Sequence, residues 1–136
     1  MAPLFPDGPT VGLARTYREA LTLLIETRDY VATGLKEDGV ALGSVDRARV
    51  NTEAMQLTAC LAALTSWLMS QRAVEAGEIP REDARLEAHR LVQCTLTDPA
   101  AEEGFLPVRL QLLIRRTLAL YRRFQRLDRM IEAETA

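Results

Sequence analysis

Residues 106–131 read LPVRLQLLIRRTLALYRRFQRLDRMI, and their spacing decides the fold class. Leu106, Leu110, Leu113, Thr117, Leu120, Phe124, Leu127 and Ile131 recur four and three residues apart without a break. A helix of 3.6 residues per turn stacks such positions into one stripe, whereas a strand needs alternation in twos. Thr117 is the only polar member. The segment predicts a long amphipathic helix from near Pro107, with a heptad seam turned toward other helices.

The same period recurs nearer the amino terminus. Leu13, Tyr17, Ala20, Leu21, Leu24, Ile25, Val31 and Leu35 form an apolar stripe, with Arg15, Arg18, Glu19, Glu26 and Asp29 largely outside it. This predicts a helix from Thr10 to about Lys36, ended by Glu37-Asp38-Gly39 and Gly43. Ser44 offers the N-cap of a second helix running to Ala76, with Gly77 as its terminator and Arg47 where a capping box would hold Glu. Pro80, with Glu82 and Asp83 beside it, suits the start of a third, shorter helix to about Thr95. Thr97–Gly104 reads as a polar connector. Pro3, Pro6, Gly8 and Pro9 make residues 1–9 a flexible arm. The expected architecture is one all-α domain over residues 10–134, an antiparallel helical bundle of three long helices plus one shorter helix, joined by short loops.

The second helix is unusual in charge. Residues 54–71 carry none, a length at which an apolar stretch becomes a candidate membrane span. Gln56, Thr58, Thr65, Ser66, Ser70 and Gln71 dilute it, and the same helix continues into Arg47, Arg49 and Glu53 on one side and Arg72 and Glu75 on the other. No membrane span is expected. Leu57, Leu61, Leu64 and Leu68 supply one apolar stripe, while Met55, Ala59, Ala62, Trp67 and Met69 spread apolar surface well beyond it. A helix in a small bundle ordinarily buries one face. The second face is therefore expected to meet another copy of the chain, in a homodimer through Ala59, Leu61, Ala62, Leu64 and Thr65.

Catalytic chemistry has little to work with. Cys60 and Cys94 are too few for a disulfide framework, and the amino terminus lacks a charged segment followed by an apolar core. Two free thiols in a reducing cytoplasm are expected. His89 is the only histidine, and it is poorly phased with Cys94 for a shared metal. No glycine-rich phosphate loop and no nucleophile elbow is present. Glu82, Asp83 and Glu87 fall where acids complement a helix start, and Glu102 and Glu103 fall in the connector. No enzyme activity, cofactor or metal is expected.

One electrostatic feature remains. The last helix holds Arg109, Arg115, Arg116, Arg122, Arg123, Arg126 and Arg129 against Asp128 alone, in a chain of net charge −2. These arginines could pair with the acid-rich residues 69–105, or meet an acidic protein partner, with Arg115, Arg122, Arg126 and Arg129 as the contacts. A nucleic-acid-binding dimer using the same face is the alternative from another class. It has less behind it, because aromatics are 5% and the pI is near 5.5. A structural self-assembly module is a third possibility.

The stretch EAMQLTACLAALTSWLMSQRAVEAGEI, Glu53–Ile79, resembles the regulator-of-CtrA-degradation (RcdA) family of alphaproteobacterial protease adaptors. Its most specific part is Ser66-Trp67-Leu68 with Gln71-Arg72-Ala73-Val74 and Gly77-Glu78. FLPVRLQLLIRRTLALYRRFQRLD, Phe105–Asp128, is similar to the family's last helix in a looser way. The likeness spans roughly Tyr17–Asp128. It implies a small, dimeric, non-enzymatic helical bundle that works with other adaptor proteins to present protein cargo to the ClpXP protease in the cell cycle. The family's better-known member extends into a carboxy-terminal tail, whereas EAETA follows directly on the last helix here, so no tail-dependent role is expected.

Overall fold

The computed structural model describes residues 9–86, 90–99 and 106–134, with side chains over 14–83, 86, 90–99 and 106–130. Helix α1, Pro9–Asp29, opens with proline at the first helical position, where its missing N–H is not needed. The rest of the expected 1–9 arm lies outside the described residues. α1 runs without a break through a π-helical turn, Tyr30–Gly34, into a short helix α2, Leu35–Gly39. Helix α3 is Ser44–Glu75 and helix α4 is Val108–Glu134. No strand occurs among the described residues, and the fold is all-α as expected.

The ends of α3 follow from its flanking glycines. Gly43 is extended and its carbonyl accepts the Arg47 N–H at 2.9 Å, so Gly43, one residue before the expected Ser44, is the N-cap. Arg47 turns its guanidinium back to the Leu42 carbonyl at 2.9 Å. At the other end Gly77 has φ +78°, with Glu78 N–H on the Ala73 carbonyl and Gly77 N–H on that of Val74. That pair of bonds is a Schellman termination, and its left-handed residue favours glycine.

The segment expected to form the third, shorter helix is not α-helical over its described residues. Arg81–Arg85 is one 3-10 turn, and residues 91–98 have no regular structure. Local helix-start signals lose here to long-range bonds that satisfy the backbone from other elements. The Cys94 N–H donates to the Tyr121 hydroxyl at 3.0 Å, and that hydroxyl donates to the Val92 carbonyl at 3.3 Å. Leu96 is buried. Cys60 of α3 and Cys94 are joined in a disulfide, with Cα atoms 5.3 Å apart. The expectation of two free thiols is thus corrected: the irregular strap, residues 90–98, lays Cys94 against α3, a closeness in space that their separation in sequence conceals.

The strap also explains the topology. Glu19, Glu26 and Asp38 of the α1–α2 rod meet Arg123, Arg116 and Arg109 in reverse order, so α1 and α4 are antiparallel. Tyr17 lies under Arg72 and Gly39 beside Arg47, so α1 and α3 are antiparallel too. α3 and α4 are consequently parallel, which corrects the picture of antiparallel neighbours on short loops.

The core lies among these three helices. The seam residues Leu106, Leu110, Leu113, Thr117, Leu120 and Phe124 are all buried, and Thr117 satisfies its hydroxyl on the Leu113 carbonyl at 2.8 Å. Leu127 is partly buried; the Ile131 side chain lies outside those described. α4 also buries a second flank, Ile114, Leu118 and Tyr121. On α1 the buried stripe is Thr16, Ala20, Leu23, Thr27 and Tyr30, whereas Ile25 and Val31 are exposed. Of the apolar stripe expected from sequence, Ala20 is buried and Tyr17, Leu24 and Leu35 pack against the core, so Ile25 and Val31 mark where it departs from the buried face.

Candidate functional site

The arginines of α4 divide into two rows. Arg109, Arg116 and Arg123 are seven residues apart and flank the core seam on the side of α1. Arg123 pairs with Glu19 at 2.8 Å, and Arg116 pairs with Glu26 through both of its terminal nitrogens. Arg109 donates to Asp38 at 2.9 Å, to Glu37 at 3.1 Å and to the Gly34 carbonyl at 3.2 Å. Intramolecular pairing thus exists, but among the described residues this row of three arginines pairs with acids of α1 and α2 and not with those of residues 69–105.

The π-helical turn completes the Arg109 cluster. The Tyr30 hydroxyl donates to Asp38 at 2.9 Å, and the Arg109 guanidinium lies over the Tyr30 ring. The bond from Arg109 holds the Asp38 carboxyl below its ordinary range, helped by Tyr30. Burial first, and then the bond to Asp38, push the Tyr30 phenol above its ordinary range.

The second row is Arg115, Arg122, Arg126 and Arg129, the four contacts proposed from sequence. All are exposed, and none has a hydrogen-bond or ion-pair partner among the described residues. Arg115, Arg122 and Arg129 repeat every seven residues, so their stems leave the helix at intervals of about 10 Å. Val108 and Leu112 are exposed at the start of the same helix. Four exposed cations on one rigid rod, unpaired among the described residues, form a surface suited to acidic groups on a macromolecule.

The α3 face proposed for a dimer divides differently. Leu61 and Leu64 are wholly enclosed by their own chain, so they are removed from that proposal. Thr65 is half-buried and its hydroxyl bonds the Leu61 carbonyl. Ala59 and Ala62 are exposed, and Met55, Ser66 and Met69 lie on the same face. The result is an uncharged strip of small side chains bounded by two methionines, with no helix over it among the described residues. It runs about 21 Å along the rod.

The family-like residue Trp67 belongs to the interior. It is 2% exposed, stacks on Phe124 with centroids 5.3 Å apart, and donates its indole N–H to Asp128 at 3.1 Å. Arg90 of the strap grips the same carboxylate at 2.9 and 2.8 Å. A charge count along α4 enters Asp128 only as the one acid among the arginines and does not show this junction. Its signal was its position within the buried arc of α4.

Among the described residues no group of three or more His, Cys, Asp or Glu could hold a metal, and no helix is long and apolar enough to cross a membrane. His89 lies outside them. The family model described as "Protein of unknown function (DUF1465)" matches residues 10–136. The crystal structure of RcdA from Caulobacter crescentus CB15 is similar at TM-score 0.70 and 33% identity, covering 88% of this chain and 89% of that one. No curated protein matches.

Proposed function

The chain belongs to the RcdA-like DUF1465 family, and on that premise we propose a non-enzymatic adaptor that presents protein cargo, or another adaptor, to the ClpXP protease in cell-cycle-regulated proteolysis. The protease and the cell-cycle setting come from family resemblance. The observation that carries the reading for this chain is the row Arg115, Arg122, Arg126 and Arg129, exposed and without partners among the described residues, while its neighbours on α4 are paired. The rod needs none of these four for its own packing, which is the condition for a surface kept for another molecule.

The adaptor is a homodimer in this reading, cytoplasmic, with the strip Met55–Ala59–Ala62–Ser66–Met69 as the contact between copies. An uncharged face with small residues at its centre allows two rods to approach closely.

The test measures protein half-lives across the proteome in cells with the chain, without it, and with all four arginines changed to alanine. A set of ClpXP-dependent proteins should persist several-fold longer without the chain, and the variant should fail to restore their turnover although it accumulates normally. Unchanged half-lives in the deletion would sink the adaptor role. Full rescue by the variant would remove the arginine row from it.

A further inference from the structure

Between α1 and α4 runs an open groove of about 520 Å³. Arg15 and Arg18 line it from α1, Arg116 and Arg123 from α4, and Ala119 and Leu120 sit between them. Glu19 is the only acid in that lining. Arg116 and Arg123 pair with Glu26 and Glu19, but all four side chains are nearly half exposed, and such pairs exchange for an incoming carboxylate at little cost. Arg18 bonds the Ala14 carbonyl of its own helix at 3.3 Å.

The floor is as informative as the rims. Ala119 lies on the exposed arc of α4 with the buried Leu120 and Leu23 on either wall. A larger residue at 119 would fill the groove, whereas alanine leaves a slot walled by arginine stems, which pack readily against apolar groups. Arg115 and Arg122 lie four residues before and three after Ala119, the helical spacing of surface neighbours, so the second row borders the groove at its Ala119 floor.

We propose that this groove seats an acidic segment of a protein partner. One apolar side chain of that segment enters over Ala119, and carboxylates on either side meet Arg18, Arg116 and Arg123. Further acids along the segment reach Arg115 and Arg122. A nucleic-acid backbone would satisfy the cationic rims and leave the slot empty. A membrane surface requires a broad apolar face, and the slot has room for about one side chain. The proposal rests on the adaptor reading and gives its partner a chemistry.

The test uses two fluorescein-labelled peptides of mixed Glu and Asp, identical except for Leu or Ser at the centre, and a duplex DNA, read by anisotropy. Burying one leucine predicts about ten- to a hundredfold tighter binding of the Leu peptide. Ala119→Trp should erase that advantage and leave binding of the Ser peptide unchanged. Ala119→Gln serves as a second filling variant, and both must keep the helical circular-dichroism signal. Equal binding of the two peptides overturns the slot and leaves the basic-face reading standing. No peptide binding at low salt also overturns it, and tighter binding of the duplex than of either peptide overturns both.

Discussion

Gly34 lies directly beneath the ring of Tyr30: a Cβ built on it would stand 2.7 Å from the Tyr30 Cδ2 and 3.1 Å from the Arg109 Nη1. Gly34→Ala must therefore displace a buried ring, at a cost of about 1–3 kcal/mol. That exceeds the gain of up to about 1 kcal/mol from replacing a helical glycine. Urea unfolding should show a net loss. A stabilised variant would mean that the ring has room to move.

The same cluster gives stability two pH limits. Asp38 is held low by Arg109, so its contribution is present above the unfolded carboxyl value and fades as the pH falls below about 4. Tyr30 is held high, so its contribution is complete below about pH 10 and fades as the pH rises beyond that. Asp38→Asn should flatten the acid limb of a stability–pH curve, and Tyr30→Phe the alkaline one. Unaltered limbs in both variants would show that the cluster is not coupled to folding.

Asp128 joins three elements: α3 through Trp67, the strap through Arg90, and its own helix. Asp128→Ala takes the carboxylate from a partly buried guanidinium and leaves the buried indole N–H without its acceptor, and should cost about 3 kcal/mol. Trp67, the only tryptophan, reports the change in its own emission. Arg90→Ala combined with Asp128→Ala should cost clearly less than the two singly. Strict additivity would deny the link.

Reduction should loosen the strap. A cross-link between residues 34 apart limits the unfolded chain by about 4 kcal/mol on loop-closure entropy. Cys94→Ser should match the loss produced by dithiothreitol, and reductant should have no further effect on that variant. A variant as stable as the oxidised protein would argue against the cross-link.

The dimer proposed through α3 separates surface from interior. Ala62→Arg with Ser66→Arg should yield a folded monomer by light scattering after size exclusion, with helicity retained. Leu61→Arg, at a fully enclosed position, should unfold the chain. A wild type that is monomeric would rule the interface out.

Periodicity made the α4 seam legible because Leu106 through Phe124 face two regular helices. The second flank, Ile114, Leu118 and Tyr121, is buried as well, and its Tyr121 bonds the strap, which has no period of its own to match. Pro80, Glu82 and Asp83 look like a helix start because start signals are local, and nothing local records that Tyr121 and Asp128 will claim the backbone beyond. The four outward arginines were legible as a charge excess. The partners of the other row were not, although Glu19 and Glu26 share with Arg116 and Arg123 the same spacing of seven. The groove between them belongs to neither helix alone.

The parallel course of α3 and α4 sets an order of assembly on the ribosome. α1, α2 and α3 can close as a hairpin while translation continues, since their contacts need only the preceding chain. The Trp67 face of α3 must wait for a carboxylate encoded 61 residues later. At bacterial to eukaryotic elongation rates that interval is about 3–12 seconds, during which a nascent hairpin exposes leucines to whatever chaperone is nearest. Slow codons placed after Gly77 would lengthen that exposure, and a message recoded there should give less soluble protein from an unchanged sequence.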